Sequence, residues 1–159
     1  MDTQKLVLLD SSSQFQKRRA DVRACLKANK ALILTQLEKM KATEVAVSYC
    51  GSGDSGAVEA VNIYRDKKEL KVRGQVTMLI KNSSWNETKS DWEETLEEKS
   101  IPLDEALREF VTDWLEIEHP GWENNDGASG QCEIDVSKGT FLLGHTNYFT
   151  ESDYSESDL

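Results

Sequence analysis

The sequence predicts an α+β domain, in which two helices pack on one face of an antiparallel sheet of about five strands. Apolar residues recur at helical spacing in two separate stretches and alternate with polar residues in several short runs. These stretches follow one another in the order α-β-β-β-α-β-β, which is typical of helices packed against an antiparallel sheet. With 159 residues, the chain has the length of one domain with a substantial core.

The predicted domain begins after a flexible leader, residues 1–13, which ends in three serines. A long helix is expected over residues 14–41, with a solvated basic face. The alternative to a solvated face is that the basic face docks on an acidic partner or on nucleic acid. The apolar stripe of this helix consists of Val22, Cys25, Leu26, Leu32, Ile33, Leu37 and Met40.

The sequence predicts three strands in the middle of the chain. Two of them, residues 44–49 and 57–64, flank a glycine-rich motif, and Asp66-Lys67-Lys68 predicts a hairpin turn. A third strand is expected over residues 70–81, where Gly74 marks a bulge or a break. Residues 82–100 are polar and acidic, and they are expected to form a weak helix or a mobile loop.

The second helix is expected over residues 102–118, because Pro102 suits a first helical turn and His119-Pro120-Gly121 ends the pattern. A hairpin of residues 132–136 and 140–143 follows. The folded domain therefore spans residues 14–150. The acidic tail, residues 151–159, has a composition typical of disorder.

Charge is distributed unevenly along a chain whose net charge is −10. Residues 1–84 carry fifteen Lys and Arg against nine Asp and Glu, whereas residues 85–159 carry four against twenty. The acidic part predicts a protein partner with a basic surface and argues against direct nucleic-acid binding. The candidate residues for acidic recognition are Trp92, Glu93, Glu94, Glu97 and Glu98.

The sequence predicts a cytoplasmic protein without a membrane segment. No apolar run approaches the roughly 20 residues that cross a bilayer, and no signal peptide opens the chain. The three cysteines do not follow metal-ligand spacing. The sequence does not indicate an oligomeric state.

Two glycine-rich acidic motifs locate the candidate site. The first is Gly51-Ser52-Gly53-Asp54-Ser55-Gly56, and the second is Gly121-Trp122-Glu123-Asn124-Asn125-Asp126-Gly127. We expect them to meet at one edge of the sheet, with Asp54 near Asp126. The candidate residues for binding a partner or ligand are Gly51, Gly53, Asp54, Ser55, Gly56, Glu59, Trp122, Glu123, Asn124, Asp126 and Gly127.

Known catalytic and metal motifs do not fit these loops. The first lacks the lysine and the following helix of a phosphate-binding loop. The second places Trp122 where a calcium loop needs its first acidic ligand. The only imidazoles, His119 and His145, fall in no assignable catalytic or metal-binding arrangement. The sequence therefore assigns no catalytic residue, metal or cofactor.

The two motifs, together with Gly130, Asp135 and Tyr154-Ser155-Glu156, resemble those of a family of small uncharacterised bacterial proteins. The resemblance covers about residues 44–159, and the family also occurs in phage and plasmid genomes. It implies a shared fold and a prokaryotic or mobile-element setting, without an established activity.

We therefore expect a small non-enzymatic protein that binds another macromolecule, in bacterial defence, counter-defence or another mobile-element context. One alternative is a metal-dependent hydrolase or ligand-binding enzyme that uses the two loops, with Asp54, Glu59, Glu123 and Asp126 as a carboxylate cluster. Another is an acidic surface that imitates nucleic acid and blocks a nucleic-acid-binding protein.

Overall fold

A computed structural model of the chain describes residues 10–53 and 55–159. Two helices and seven strands account for most of that part of the chain. In order, they are α1 (Asp10–Lys39), β1 (Glu44–Ser52), β2 (Ser55–Arg65), β3 (Lys68–Leu70), β4 (Gln75–Asn86), β5 (Asp91–Pro102), α2 (Leu103–Glu118), β6 (Ala128–Asp135) and β7 (Thr140–Asn147).

Five strands form an antiparallel sheet in the order β3-β2-β1-β6-β7, and β4 and β5 form a separate two-stranded sheet. We call this second sheet, residues 75–102, the ribbon. Helix α1 packs against α2 and β4, and α2 packs against β1 and β2. The α+β class, with two helices and a five-stranded antiparallel sheet, is therefore confirmed.

The core lies between the two helices and the central strand of the sheet. Residues Val45, Val47 and Tyr49 of β1 alternate with more exposed neighbours, as expected for a strand with one buried face. Helix α2 buries Leu107 and Leu115 among other apolar residues on one face. Each fully buried side chain of this size contributes roughly 1.5–3 kcal/mol of transfer free energy.

The prediction of a weak helix or mobile loop at residues 82–100 is wrong. These residues pair in continuous antiparallel register, from Gln75 opposite Pro102 to Asn86 opposite Asp91. The predicted third strand divides at Gly74, whose φ of +94° turns the chain out of the main sheet. Short β3 stays paired with β2, and β4 continues into the ribbon.

A buried asparagine joins the ribbon to α1. The Asn29 side-chain nitrogen donates to the Leu79 carbonyl at 3.1 Å, and the Leu79 N–H donates to Asn29 Oδ1 at 2.9 Å. The amide therefore satisfies both backbone groups of Leu79, as a neighbouring strand would. Leu32, which the sequence assigned to the apolar stripe, is 39% exposed because it lies outside the helix face that packs on α2 and β4.

Other boundaries differ modestly from the predicted ones. Helix α1 begins at Asp10, and residues 1–9 of the predicted leader lie outside the described residues. Asp66 and Lys67 both have positive φ angles and connect β2 to β3, at the predicted turn. Residues 151–159 are exposed and contain neither helix nor strand. Within the described ranges, no helix is both long enough and apolar enough to cross a bilayer.

Candidate functional site

The first glycine motif forms a tight hairpin between β1 and β2. Pairing continues to Ser52 opposite Ser55, so only Gly53 and Asp54 connect the strands. The φ angle of Gly53 is +65°, which glycine adopts without steric cost. Asp54 lies outside the described residues. Gly56 and Glu59 belong to β2, where both are exposed.

The second motif forms consecutive turns after the end of α2. The N–H of Trp122 donates to the His119 carbonyl at 3.1 Å, and the N–H of Gly127 donates to the Asn124 carbonyl at 3.0 Å. These hydrogen bonds close the turns and satisfy backbone groups that no helix or strand pairs. The motif reaches the sheet at Ala128, where β6 begins.

The two motifs are in contact. The N–H of Gly53 donates to the Asn125 carbonyl at 3.1 Å. The indole ring of Trp122 lies so close to Gly51 and Gly56 that a Cβ on either residue would be 2.7 or 2.5 Å from it. The prediction that the glycine loops meet is therefore confirmed, while its Asp54–Asp126 part falls outside the described residues. Glycine is needed here because the indole ring covers the backbone.

Trp122 is consequently a buried cover of the first hairpin, with 7% of its surface exposed. Its Nε1 and the adjacent Glu123 Oε2 are buried without a hydrogen-bond partner in the part of the chain that the structure describes. Asp126 lies at the exposed side of the motif, where its carboxylate accepts a hydrogen bond from the Thr150 hydroxyl at 2.7 Å. Asn124 is exposed.

A row of three residues crosses the sheet beside this junction. Tyr49 of β1 is opposite Gly130 of β6, which is opposite His145 of β7. A Cβ on Gly130 would be 2.2 Å from the Tyr49 hydroxyl oxygen and 2.1 Å from the Gly144 carbonyl oxygen. The missing side chain therefore lets the phenol ring lie across β6 and reach His145.

The two histidines of the chain meet at the end of this row. The ring of His119, which follows α2, stacks on the ring of His145 with a centroid separation of 3.7 Å and an interplanar angle of 10°. The Tyr49 hydroxyl oxygen lies 2.7 Å from His145 Nδ1 and 3.0 Å from the Gly144 carbonyl oxygen. His145 Nε2 lies 2.8 Å from Asn147 Oδ1. We call Tyr49, His119, His145 and Asn147 the imidazole cluster.

Two proton arrangements satisfy these contacts. With a neutral His145, the Tyr49 hydroxyl donates to Nδ1 and the Nε2–H donates to Asn147. With a protonated His145, Nδ1–H donates to the Tyr49 oxygen, and the hydroxyl proton turns to the Gly144 carbonyl. In both arrangements the Tyr49 hydroxyl is held between His145 Nδ1 and the Gly144 carbonyl.

Burial determines the protonation of the groups around this ring. It raises the pKa of Tyr49 to about 12, with a smaller contribution from the nearby Cys132, so the phenol stays neutral near pH 7. Burial also raises the pKa of Cys132 to about 12, which keeps its sulfur as an unreactive thiol. Burial, followed by the charge of His145, lowers the pKa of His119.

Among the described residues, these groups do not assemble a recognisable hydrolytic site. A nucleophile requires a deprotonated or base-activated group, and the Tyr49 and Cys132 pKa values oppose that state. In the described residues, no three His, Cys, Asp or Glu side chains are grouped so that they could hold a metal ion. The cluster can position the second motif, because His119 stacks on His145 and its carbonyl accepts from the Trp122 N–H.

The acidic recognition candidates lie on β5 of the ribbon, well separated in sequence from both motifs. Glu97 and Glu98 are exposed. The backbones of Trp92, Glu93 and Glu94 pair with β4, and their side chains lie outside the part that the structure describes.

Sequence reasoning missed the imidazole cluster. The sequence places Tyr49 only at the end of the strand expected over residues 44–49, and it gives the histidines no role. The available signal was Gly130, because a glycine within a β-strand indicates a close approach by another group. The predicted strand began at residue 132, whereas β6 begins at Ala128 and includes Gly130.

Fold and site together define a small α+β domain, in which an aromatic and imidazole cluster supports two joined glycine loops. The chain belongs to a family of unknown function, DUF6878, whose model matches residues 25–159. The expected membership in an uncharacterised family is thus confirmed, and the match includes both motifs, the imidazole cluster and much of α1. Comparisons with curated proteins and with solved structures found no match.

Proposed function

We propose that this protein is a non-enzymatic binding protein that presents the acidic ribbon to a basic surface of another macromolecule. The observation that carries the proposal is the isolation of the ribbon from the main sheet. Its two strands pair with each other and with no other strand of the described residues. The base of the ribbon is held on α1 by the hydrogen bonds between Asn29 and Leu79. A two-stranded sheet without such support is only marginally stable in water, so contact with a partner would stabilise the outer part of the ribbon.

The side chains of the ribbon support this proposal. Residues 85–98 contain six carboxylates against one lysine. Among the described side chains, Glu87, Asp91 and Glu98 are exposed. Trp85 and Leu96 are 52% and 51% exposed. Tryptophan is enriched among the residues that contribute most to binding at protein interfaces. The ribbon thus combines a long-range negative field with apolar contact area.

The first experiment compares two variants that lose the same number of charges. The ribbon variant carries Glu93→Gln, Glu94→Gln, Glu97→Gln and Glu98→Gln. The tail variant carries Glu151→Gln, Asp153→Asn, Glu156→Gln and Asp158→Asn. Each is used, beside the unmodified protein, to capture proteins from extracts of the cells that express it. We expect a basic protein that the unmodified protein and the tail variant retain and the ribbon variant loses.

The second experiment measures how that partner associates. Attraction between exposed charges is screened over about 8 Å at physiological salt, so the association rate should fall as salt rises while dissociation changes less. Surface plasmon resonance at several salt concentrations measures both rates. Equal capture by the ribbon variant, or an association rate independent of salt, would contradict the proposal.

The same proposal includes a cytoplasmic setting in bacterial defence, counter-defence or a mobile element, and neighbouring genes test it. Competition with duplex DNA tests whether the ribbon imitates nucleic acid. If DNA displaces the partner, the ribbon occupies a nucleic-acid-binding surface and imitates the charge of nucleic acid.

A further inference from the structure

A basic cavity of about 550 Å³ lies where α1 ends against the β2–β3 hairpin. Its size is within the range of small-molecule sites. Met40 and Leu70 supply an apolar part of the wall, and none of the lining residues is a carboxylate. The cationic lining residues are Lys39, Lys41, Arg65, Lys71 and Arg73.

The backbone brings these cations together from separate elements. Lys41 has a φ of +57°, which ends the helix and turns the chain toward β1. Arg65, at the end of β2, donates from Nε to the Lys41 carbonyl at 3.1 Å and from Nη2 to the Met40 carbonyl. The guanidinium thereby offsets the negative end of the helix dipole, which would otherwise repel an anion.

The other wall of the cavity is formed by the residues that come directly after β3 in the sequence. Lys71 and Arg73 lie in the segment between β3 and β4. The Gln36 side chain of α1 donates to the Arg73 carbonyl at 3.4 Å, which connects this segment to the helix. Lysine and arginine side chains thus approach one space from the helix end and from the hairpin.

Four of the five cations that line this cavity lack a charge partner among the described residues. Lys39, Lys41, Lys71 and Arg73 form no ion pair or side-chain hydrogen bond with the residues that the structure describes. The contrast is large, because the chain as a whole carries 29 carboxylates and a net charge of −10. Cations that lie close together repel one another, and their attraction to an anion bound between them would offset that repulsion.

We propose that the cavity binds a small ligand that carries two or more linked phosphate groups, such as a nucleoside diphosphate or a short polyphosphate. Several separate cations suit several phosphates, and the guanidinium fork of Arg73 matches the geometry of phosphate oxygens. Met40 and Leu70 would contact the part of a ligand that is not phosphate. This site is separate from the ribbon, and it does not depend on the function proposed for the ribbon.

The test uses inorganic tripolyphosphate and ADP as probes, with isothermal titration calorimetry on the full chain. The cavity variant carries Lys71→Gln and Arg73→Gln. The matched control carries Lys68→Gln and Lys138→Gln, two exposed lysines outside the cavity that remove the same charge. We expect both probes to bind the unmodified protein and the control, and to bind the cavity variant at least about tenfold more weakly.

A second variant, Lys39→Gln, reports on the helix side of the cavity if the first one folds poorly. Tighter binding of ADP than of tripolyphosphate would identify a nucleotide as the source of the phosphates, and the reverse would identify a polyphosphate chain. Absence of binding by both probes would overturn the proposal, as would equal weakening in the control variant. A single-stranded oligonucleotide that binds more tightly than both probes and depends on Lys71 and Arg73 would also overturn it, because nucleic acid would then be the ligand.

Discussion

The imidazole rings of His119 and His145 lie face to face, 3.7 Å apart between centroids and 10° apart in orientation. This contact joins the residue that ends α2 to the last strand of the sheet. His145 lies within hydrogen-bond distance of the Tyr49 hydroxyl, and the His119 carbonyl accepts from the Trp122 N–H. Two protonated rings at this separation would repel each other strongly, so the stack favours at most one positive charge.

The first prediction concerns the pH dependence of stability. The pKa of His119 is lowered from 6.5 in the folded protein, mainly by burial and then by His145. The unfolded chain therefore binds more protons as pH falls through that value, and the free energy of unfolding decreases with falling pH. The decrease in the free energy of unfolding begins near pH 6.5 and is complete below the lowered pKa of His119 in the folded protein.

Urea denaturation between about pH 7.5 and pH 5.5 measures this effect. The variant His119→Gln removes the titrating group, so its free energy of unfolding should depend less on pH over that interval. The same slope in both proteins would show that His119 is not responsible.

The second prediction concerns Gly130. Replacing it with alanine would place a methyl group against the Tyr49 hydroxyl and the Gly144 carbonyl, and neither the buried phenol nor the backbone can move away easily. We expect Gly130→Ala to lower the free energy of unfolding by about 2–4 kcal/mol.

The neighbouring glycine is a matched control for this substitution. A Cβ on Gly144 would have only an ordinary contact, 3.6 Å from the Gln131 carbonyl oxygen. Gly144→Ala should therefore change the free energy of unfolding by less than about 1 kcal/mol. Comparable losses in the two variants, measured by denaturation, would contradict the close packing across Gly130.

The sequence predicts both helices and most strands of the main sheet, and the apolar period is clearest in β1 and α2. Val45, Val47 and Tyr49 alternate as a half-buried strand should, and the face of α2 repeats at helical spacing. Residues 82–100 lack such a period, and their glutamates are uncommon in strands. Their pairing depends on β4 and on the contact between Asn29 and Leu79, which no local pattern encodes.

The sequence likewise predicts only one part of the candidate site. Glycines mark both loops in the sequence, and their meeting follows from a compact domain. The imidazole cluster depends on the pairing of β1 with β6 and of β6 with β7, which brings Tyr49 and His145 to either side of Gly130. The residues are far apart in sequence, so spacing rules for motifs do not detect them.

The third prediction concerns the attachment of the ribbon to α1. The variant Asn29→Leu keeps a similar volume and removes both hydrogen bonds to Leu79. The Leu79 N–H then loses its partner, and the Leu79 carbonyl keeps only the Cys25 thiol, 3.4 Å away. We expect a loss of about 2–3 kcal/mol in the free energy of unfolding. Hydrogen exchange at the Leu79 amide should accelerate more than exchange in β1.

Gln36→Ala provides the comparison for Asn29→Leu. Its amide makes one long hydrogen bond, at 3.4 Å to the carbonyl of the exposed Arg73. This variant should lose less than about 0.5 kcal/mol. Unchanged Leu79 exchange in Asn29→Leu would show that other contacts secure β4.

The fourth prediction concerns thiol reactivity. Cys50 is exposed, whereas Cys25 and Cys132 are buried, and the pKa of Cys132 is raised to about 12 by burial. In the native protein, a thiol reagent should therefore modify Cys50 rapidly and the other two only after unfolding. Mass spectrometry of modified peptides identifies the sites. Cys50→Ser should abolish the fast phase, and rapid native labelling of Cys132 would contradict the burial of β6.

The central position of β1 has a consequence for how the protein folds. One edge of β1 pairs with β2, its immediate neighbour in sequence, but the other pairs with β6, which begins only at Ala128. During synthesis, the β6 edge of β1 stays open until the ribosome has added the β6–β7 hairpin. An open edge is a template for aggregation, and distant pairing slows folding. We therefore expect the nascent chain to need protection by chaperones, and fragments that end before Ala128 to accumulate as insoluble protein.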